Sequence, residues 1–259
     1  MFTTGIVSVT FRKKSIDEII ALAKQGGLSS IEVGSDVHAP RENLTECRRI
    51  AALAAENGIK IASYGSYYKL GQEGNSDAVF AEYIAAAKAL GAPNIRIWAG
   101  IRGSASVEEA ERAAWVAEAV RCADAAAEAG ISLSFEYHGG TLTDTGESAL
   151  RLMREMDHPN AHLYWQPNQA KDVAFNTAAL AAALPYVTNI HVFAWDARSG
   201  SLVKYPLADH ADAWKQYLDI LAADKREHHL LMEFVKDDSD AQFLEDAQTL
   251  TKWSNDYAL

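Results

Sequence analysis

Cysteine is nearly missing: Cys47 and Cys122 are the only two among 259 residues. So sparse a pair builds no disulfide framework, and neither has a second ligand at zinc-finger spacing. Both are expected as small buried residues within helices. Basic charge is short as well. Lys and Arg number 24 against 35 Asp and Glu, for a net charge of −11. That argues against a nucleic-acid partner, because phosphate binding needs a basic surface. The one tight basic cluster, Arg12, Lys13 and Lys14, reads as a solvated turn after the first strand. No run approaches the roughly 20 apolar residues that cross a bilayer. The opening MFTTGIVSVTFRKK lacks the charged start and apolar run of a signal peptide. No membrane partner is expected, and the expected location is the cytoplasm. A Pro/Gly/Ser-rich linker, a low-complexity tract and an abrupt charge shift are also wanting, so residues 1–259 are expected to form one domain. With 49% hydrophobic residues the chain has ample material for a core, and needs neither disulfide nor structural metal to hold it.

What is present is a repeated pattern. An Ala-rich amphipathic segment ends in glycine or a turn, and a short β-branched run follows. Gln25-Gly26-Gly27 precedes Ser30-Ile31-Glu32-Val33, and Glu56-Asn57-Gly58 precedes Ile59-Lys60-Ile61-Ala62. Gly91 and Gly130 stand before the next two runs. Glycine just past a helix ends it through a left-handed conformation that other residues avoid. The pattern predicts strands near residues 5–10, 30–33, 59–63, 94–98, 131–136, 161–166, 188–193 and 230–234. Helices are predicted near 15–25, 41–57, 76–90, 106–129, 146–156, 176–184, 210–222 and 239–254, with Ser15 and Glu18 as a capping box. Strict alternation implies parallel pairing, and eight units of about 32 residues predict a single (β/α)8 TIM barrel. The rival, an open doubly wound sheet, would announce a nucleotide site by G-x-G-x-x-G after its first strand. Gly5-Ile6-Val7-Ser8-Val9-Thr10-Phe11 has none.

In such a barrel the carboxyl ends of the strands carry the chemistry. Side chains alternate along a strand. In the fifth, Ile131, Leu133 and Phe135 suit the helix-facing side, which sends Ser132, Ser134 and Glu136 into the interior. The same logic selects Gln166 at the end of the sixth strand, His191 in the seventh and Glu233 closing the eighth. A lone strand histidine is ordinarily a hydrogen-bonded structural residue. Four such residues in register are hard to explain as packing, since a buried carboxylate is costly unless paired or coordinated. Oxygen donors and an imidazole around one mouth suit a divalent metal.

These strand ends carry a family resemblance. Phe135-Glu136-Tyr137-His138-Gly139-Gly140, Tyr164-Trp165-Gln166-Pro167, Ile190-His191-Val192-Phe193 and Met232-Glu233-Phe234 resemble the xylose isomerase-like barrels, the sugar isomerase/epimerase group that also contains endonuclease IV. The resemblance implies a divalent ion (manganese, magnesium, cobalt or zinc) held by Glu136, Gln166, His191 and Glu233. It also implies aldose–ketose isomerisation or epimerisation of a sugar through an enediolate, with Glu136 and Glu233 exchanging the proton. The family has aspartate where Gln166 stands, and its epimerases have histidine at Gln169; Arg198 only echoes a family arginine. Such barrels often form homo-oligomers.

Further substrate contacts are expected from Glu32 and His38 after the second strand, Tyr64 with Tyr67 and Tyr68 after the third, Trp98 after the fourth, and His138, Gln169, Trp195 and Arg198. The competing interpretation is packing for the tyrosines and Trp98, and solvated loop charge for Lys171, Arg198 and Lys204. His228 and His229 fall at the opposite end of the barrel, where no catalytic role is expected. Two other functions compete with this reading. Endonuclease-type phosphoester cleavage needs many more His and Asp ligands and a less acidic surface. A metal-free, non-catalytic sugar-binding barrel is motivated by the amides at Gln166 and Gln169.

Overall fold

The computed structural model describes residues 1–257. Strands β1 (Phe2–Val7), β2 (Ser30–Gly34), β3 (Lys60–Lys69), β4 (Asn94–Trp98), β5 (Ser132–Glu136), β6 (Ala161–Trp165), β7 (Val187–Val192) and β10 (His228–Met232) close a barrel in which every pairing is parallel. The expected (β/α)8 barrel is therefore observed. Short β8 (Trp195–Asp196) and β9 (Val203–Lys204) pair antiparallel in the loop after β7.

Eight helices follow the strands: α1 (Ile16–Gln25), α2 (Leu44–Glu56), α3 (Asp77–Leu90), α4 (Glu109–Glu128), α5 (Gly146–Met156), α6 (Val173–Ala183), α7 (Ala211–Ala222) and α8 (Asp240–Asn255). Their starts are set by side chains that satisfy otherwise unpaired backbone N–H groups. Ser15 and Glu18 make the full capping box, while Asn43, Ser76, Thr145, Asp172 and Ser239 each accept from the third helical residue. The Asn43 cap is why α2 starts at Leu44 and not near residue 41. Residues Ser104–Ser106 form a separate 3-10 turn, which delays α4 to Glu109. In α5 the buried positions Ala149, Leu152, Met153 and Met156 recur at helical spacing and face the sheet.

The main apolar core lies between sheet and helices. The barrel interior is different. Its lower part is polar: Asn94 donates to Ser132 and Ser134 at 2.8 and 2.7 Å, and Ser63 donates to Asn94 at 3.0 Å. Val7, Val9, Ala62, Tyr164 and Leu231 fill the rest.

Two boundaries differ from expectation in ways that shape the mouth. β1 ends at Val7, and Ser8–Phe11 coils into a 3-10 turn pinned by Thr10, whose hydroxyl donates to the Met232 carbonyl (3.3 Å) and accepts from Phe234 N–H (3.1 Å). β3 runs on to Lys69 through an irregularity in its pairing with β4, carrying three tyrosines towards the upper rim.

Candidate active site

The site is built on a buried arginine. Arg96, on the interior face of β4, donates from Nε to Glu32 Oε1 at 2.9 Å and from Nη1 to Glu136 Oε2. All three side chains are almost fully buried. The floor needs a glycine beside it: a Cβ on Gly65 would lie 2.5 Å from Glu32 Oε1 and 2.9 Å from Arg96 Nη2. Trp98 Nε1 donates to the same Glu136 oxygen at 2.5 Å. One Glu136 oxygen is thus held from below, leaving Oε1 facing His191 Nδ1 at 3.4 Å.

Around His191 Nδ1 the other groups gather. Glu233 Oε2 lies 3.6 Å away and Gln166 Oε1 2.9 Å. The Gln166 amide is oriented by chemistry: its Nε2 donates to the Tyr137 carbonyl at 2.6 Å, and a carbonyl only accepts, so the amide oxygen must face the cluster. On the opposite side of the imidazole, Nε2 faces Glu32 Oε2 at 3.6 Å, both atoms buried without a closer partner. The Tyr164 ring packs against His191 at 4.6 Å. A cavity of about 400 Å³ opens above, with Glu136, Gln166 and Glu233 in its wall.

The carboxylates are pushed apart electrostatically. Burial alone raises Glu136, but Arg96 and then His191 outweigh it and hold the group well below the usual carboxylate range. Glu233 lacks a direct arginine contact; burial raises it, His191 pulls it down, and like-charge repulsion from Glu136 adds to the rise, to about 7. Burial lowers His191, yet Glu233, Glu136 and Glu32 together raise it to about 10.

This donor set fits a divalent cation. Ligand atoms of Glu136, His191 and Glu233 lie within 4.8 Å of one another, and the Gln166 oxygen adds a fourth donor. Two carboxylates offset a double charge. A carboxylate behind the second imidazole nitrogen is the arrangement that fixes a ligating ring's tautomer, with Nε2–H towards Glu32 and Nδ1 free to ligate.

The structure therefore brings Glu136, Gln166, His191 and Glu233 together, and sets Trp98, His138, Gln169 and Trp195 in the cavity wall. Trp98 and His138 stack at 4.1 Å. Four other expected contacts stand elsewhere. Glu32 is sealed beneath the cavity by its pairing with Arg96. His38 is buried between Ser8 Oγ (2.9 Å) and the Lys14 carbonyl (3.2 Å). Tyr64 points outward into the helical layer, its hydroxyl donating to the Ala39 carbonyl at 2.7 Å; Tyr67 lines the cavity instead. Arg198 folds back onto Asp196 in a neighbouring side pocket. His228 sits at the start of β10, bonded to the Thr188 carbonyl at 2.8 Å.

Arg96 and Arg12 stand outside the expected contacts, whereas Tyr67, expected after the third strand, lines the cavity. Arg96 had a signal, since it shares an interior face with Asn94 and Trp98. Arg12, read as a solvated turn residue, lines the cavity.

A closed parallel barrel with its polar cluster at the strand ends defines the class of molecule. The chain belongs to the xylose isomerase-like TIM barrel family, whose model matches residues 20–253. A 66-residue stretch is 39% identical to 3-dehydroshikimate dehydratase of Bacillus anthracis, covering 26% of this chain but only 24% of that protein. The crystal structure of the probable 3-DHS dehydratase AsbF of Bacillus anthracis superposes with a TM-score of 0.81 at 18% identity, over 97% of this chain and 99% of that one. An L-ribulose 3-epimerase structure gives 0.71 at 15% identity, over 99% and 96%. At these identities the two structures speak for the fold alone. No helix among the described residues is long and apolar enough to cross a membrane.

Proposed function

We propose that the chain is a metal-dependent isomerase or epimerase that moves a proton at a carbon beside a carbonyl, on a sugar or related hydroxy-carbonyl compound. The observation carrying this reading is the convergence of Glu136, Gln166, His191 and Glu233 below an open cavity. These four would hold manganese, magnesium, cobalt or zinc. When bound, such an ion supplies Lewis-acid polarisation of the substrate carbonyl and countercharge for the enediolate oxygen.

The chain's own groups divide the remaining work. Glu136, pinned by Arg96 and Trp98, stays a carboxylate throughout. Glu233, which lies in the cavity wall without the arginine contact that pins Glu136, is placed to take the α-proton and return it. Two carboxylates whose environments drive them apart are the usual mark of divided acid–base roles. The Trp98–His138 stack gives the substrate a flat wall. Gln169 and Trp195 are proposed to fix its orientation from the other side.

The identity to 3-dehydroshikimate dehydratase favours a second reading on the same residues. Glu233 again removes the α-proton, but the enolate then re-forms the carbonyl as a double bond forms between Cα and Cβ and the Cβ–O bond breaks, the hydroxyl taking the proton from Glu233 and leaving as water. The reaction ends in dehydration in place of proton return.

One experiment tests both. The manganese-loaded protein is incubated in deuterated water with a ketose panel and with 3-dehydroshikimate, and the α-carbon proton is followed by NMR. Exchange or epimerisation of a ketose is expected; elimination without back-exchange selects the dehydratase. No reaction across the panel, with wild type matching Glu136→Gln, contradicts both. Tight sugar binding unaffected by chelator and without turnover would instead show a non-catalytic binding barrel.

A further inference from the structure

We propose that Arg12 is the recognition group for a carboxylate on the substrate, so that the site favours a hydroxylated keto acid over an uncharged counterpart. This rests on the α-proton reading of the site and narrows its substrate class.

Arg12 follows the 3-10 turn at the end of β1 and lines the same cavity as Glu136 and Glu233. Its guanidinium is held in place from one side. Nη1 pairs with Asp36, Nη2 donates to the Tyr67 hydroxyl at 2.6 Å, and the group lies 5.7 Å from the Tyr67 ring centre. A guanidinium carries five N–H donors. Those two bonds leave Nε–H and one proton on each terminal nitrogen without a protein partner, on a side chain that is 42% exposed. A cation fixed by its neighbours yet keeping free donors is preorganised for a ligand, since little rotamer entropy remains to be lost on binding.

The other cations around the mouth are committed. Arg96 is sealed between Glu32 and Glu136. Lys204 pairs with Asp238 at 2.7 Å, Arg198 pairs with Asp196, and the Lys69 ammonium lies 4.2 Å from the Trp98 ring centre. Among the described residues, Arg12 is thus the cationic side chain lining this cavity with donors to spare. A planar fork suits the two oxygens of a carboxylate. Its charge is already partly offset by Asp36, which matches a single negative charge better than a dianionic phosphate.

The test uses the full chain stripped of metal by chelator, so that it stands apart from catalysis. Binding is read from the fluorescence of Trp98 and Trp195, which line the cavity. The probes are shikimate, quinate and gluconate, each compared with its uncharged methyl ester, and glucose 6-phosphate as the phosphate arm. At least one acid is expected to bind wild type about tenfold tighter than its ester, a difference of about 1.4 kcal/mol. That preference should vanish in Arg12→Ala and survive in part in Arg12→Lys. The proposal is overturned if no acid outbinds its ester, if no probe binds, if the phosphate is preferred, or if Arg12→Ala keeps the preference. Loss of α-proton exchange with the acid preference intact would instead fault the reaction assignment.

Discussion

Replacing Glu233 by Gln is expected to lower the rate of α-proton exchange by about 10²–10⁴-fold, the span typical of losing a positioned general base. The amide keeps the size of the side chain and an oxygen towards His191 Nδ1, so the cavity should keep its shape. What disappears is a group able to accept a proton. Glu233 suits that task because it lies in the cavity wall and lacks the arginine contact that pins Glu136. KM should move far less than kcat. Both substitutions remove a ligand charge and should weaken metal retention, but Glu136→Gln should in addition disturb Arg96 below it. Comparable kcat for Glu233→Gln and wild type, at equal metal content, would remove Glu233 as the base.

Arg96→Met is expected to destabilise the fold by about 3–5 kcal/mol, read from urea or thermal unfolding of the metal-free protein. Removing one partner of a buried ion pair leaves the others charged and uncompensated. Here two carboxylates, Glu32 and Glu136, lose their shared cation inside the barrel. A Glu32→Gln change in the Arg96→Met background should restore part of the loss. Arg96→Lys should not match wild type, because one ammonium cannot reproduce a fork that donates from Nε to one partner and from Nη1 to another. The pH dependence has a definite sign. Both carboxyls are depressed below their ordinary 4.5, so their stabilisation is full above that value and is lost as pH falls through the folded-state values. An Arg96→Met protein should lack most of that acid-side loss. Equal stability at pH 7 would show that the arginine does not compensate this pair.

The barrel and the inward-facing cluster at the strand ends were legible because both rest on short-range rules. Glycine stops and apolar runs marked the eight units, and period-two alternation aimed Glu136 inward. Arg96 escaped because an arginine inside a barrel looks prohibitive until its partners are known, and these lie 64 and 40 residues away in sequence. The three tyrosines of β3 went unsorted because the expected strand stopped at residue 63; with β3 extended to Lys69, alternation sends Tyr64 to the helices and Tyr67 to the cavity. His38 became a structural residue through contacts on the preceding βα segment, at Ser8 and Lys14. Arg12 looked solvated because Asp36 and Tyr67 reach it from two other strand ends.

We propose the binding of one divalent cation by Glu136, Gln166, His191 and Glu233. Its most direct test is calorimetric titration of the chelator-treated protein with manganese, at pH 8 in two buffers of different ionisation enthalpy. His191 is raised to about 10, so its Nδ1 is protonated at pH 8 and the metal must displace that proton. The expected result is one manganese per chain with about one proton released, an affinity falling as pH is lowered, and no binding in His191→Ala. No binding to wild type, or binding that is indifferent to both pH and His191→Ala, would contradict it.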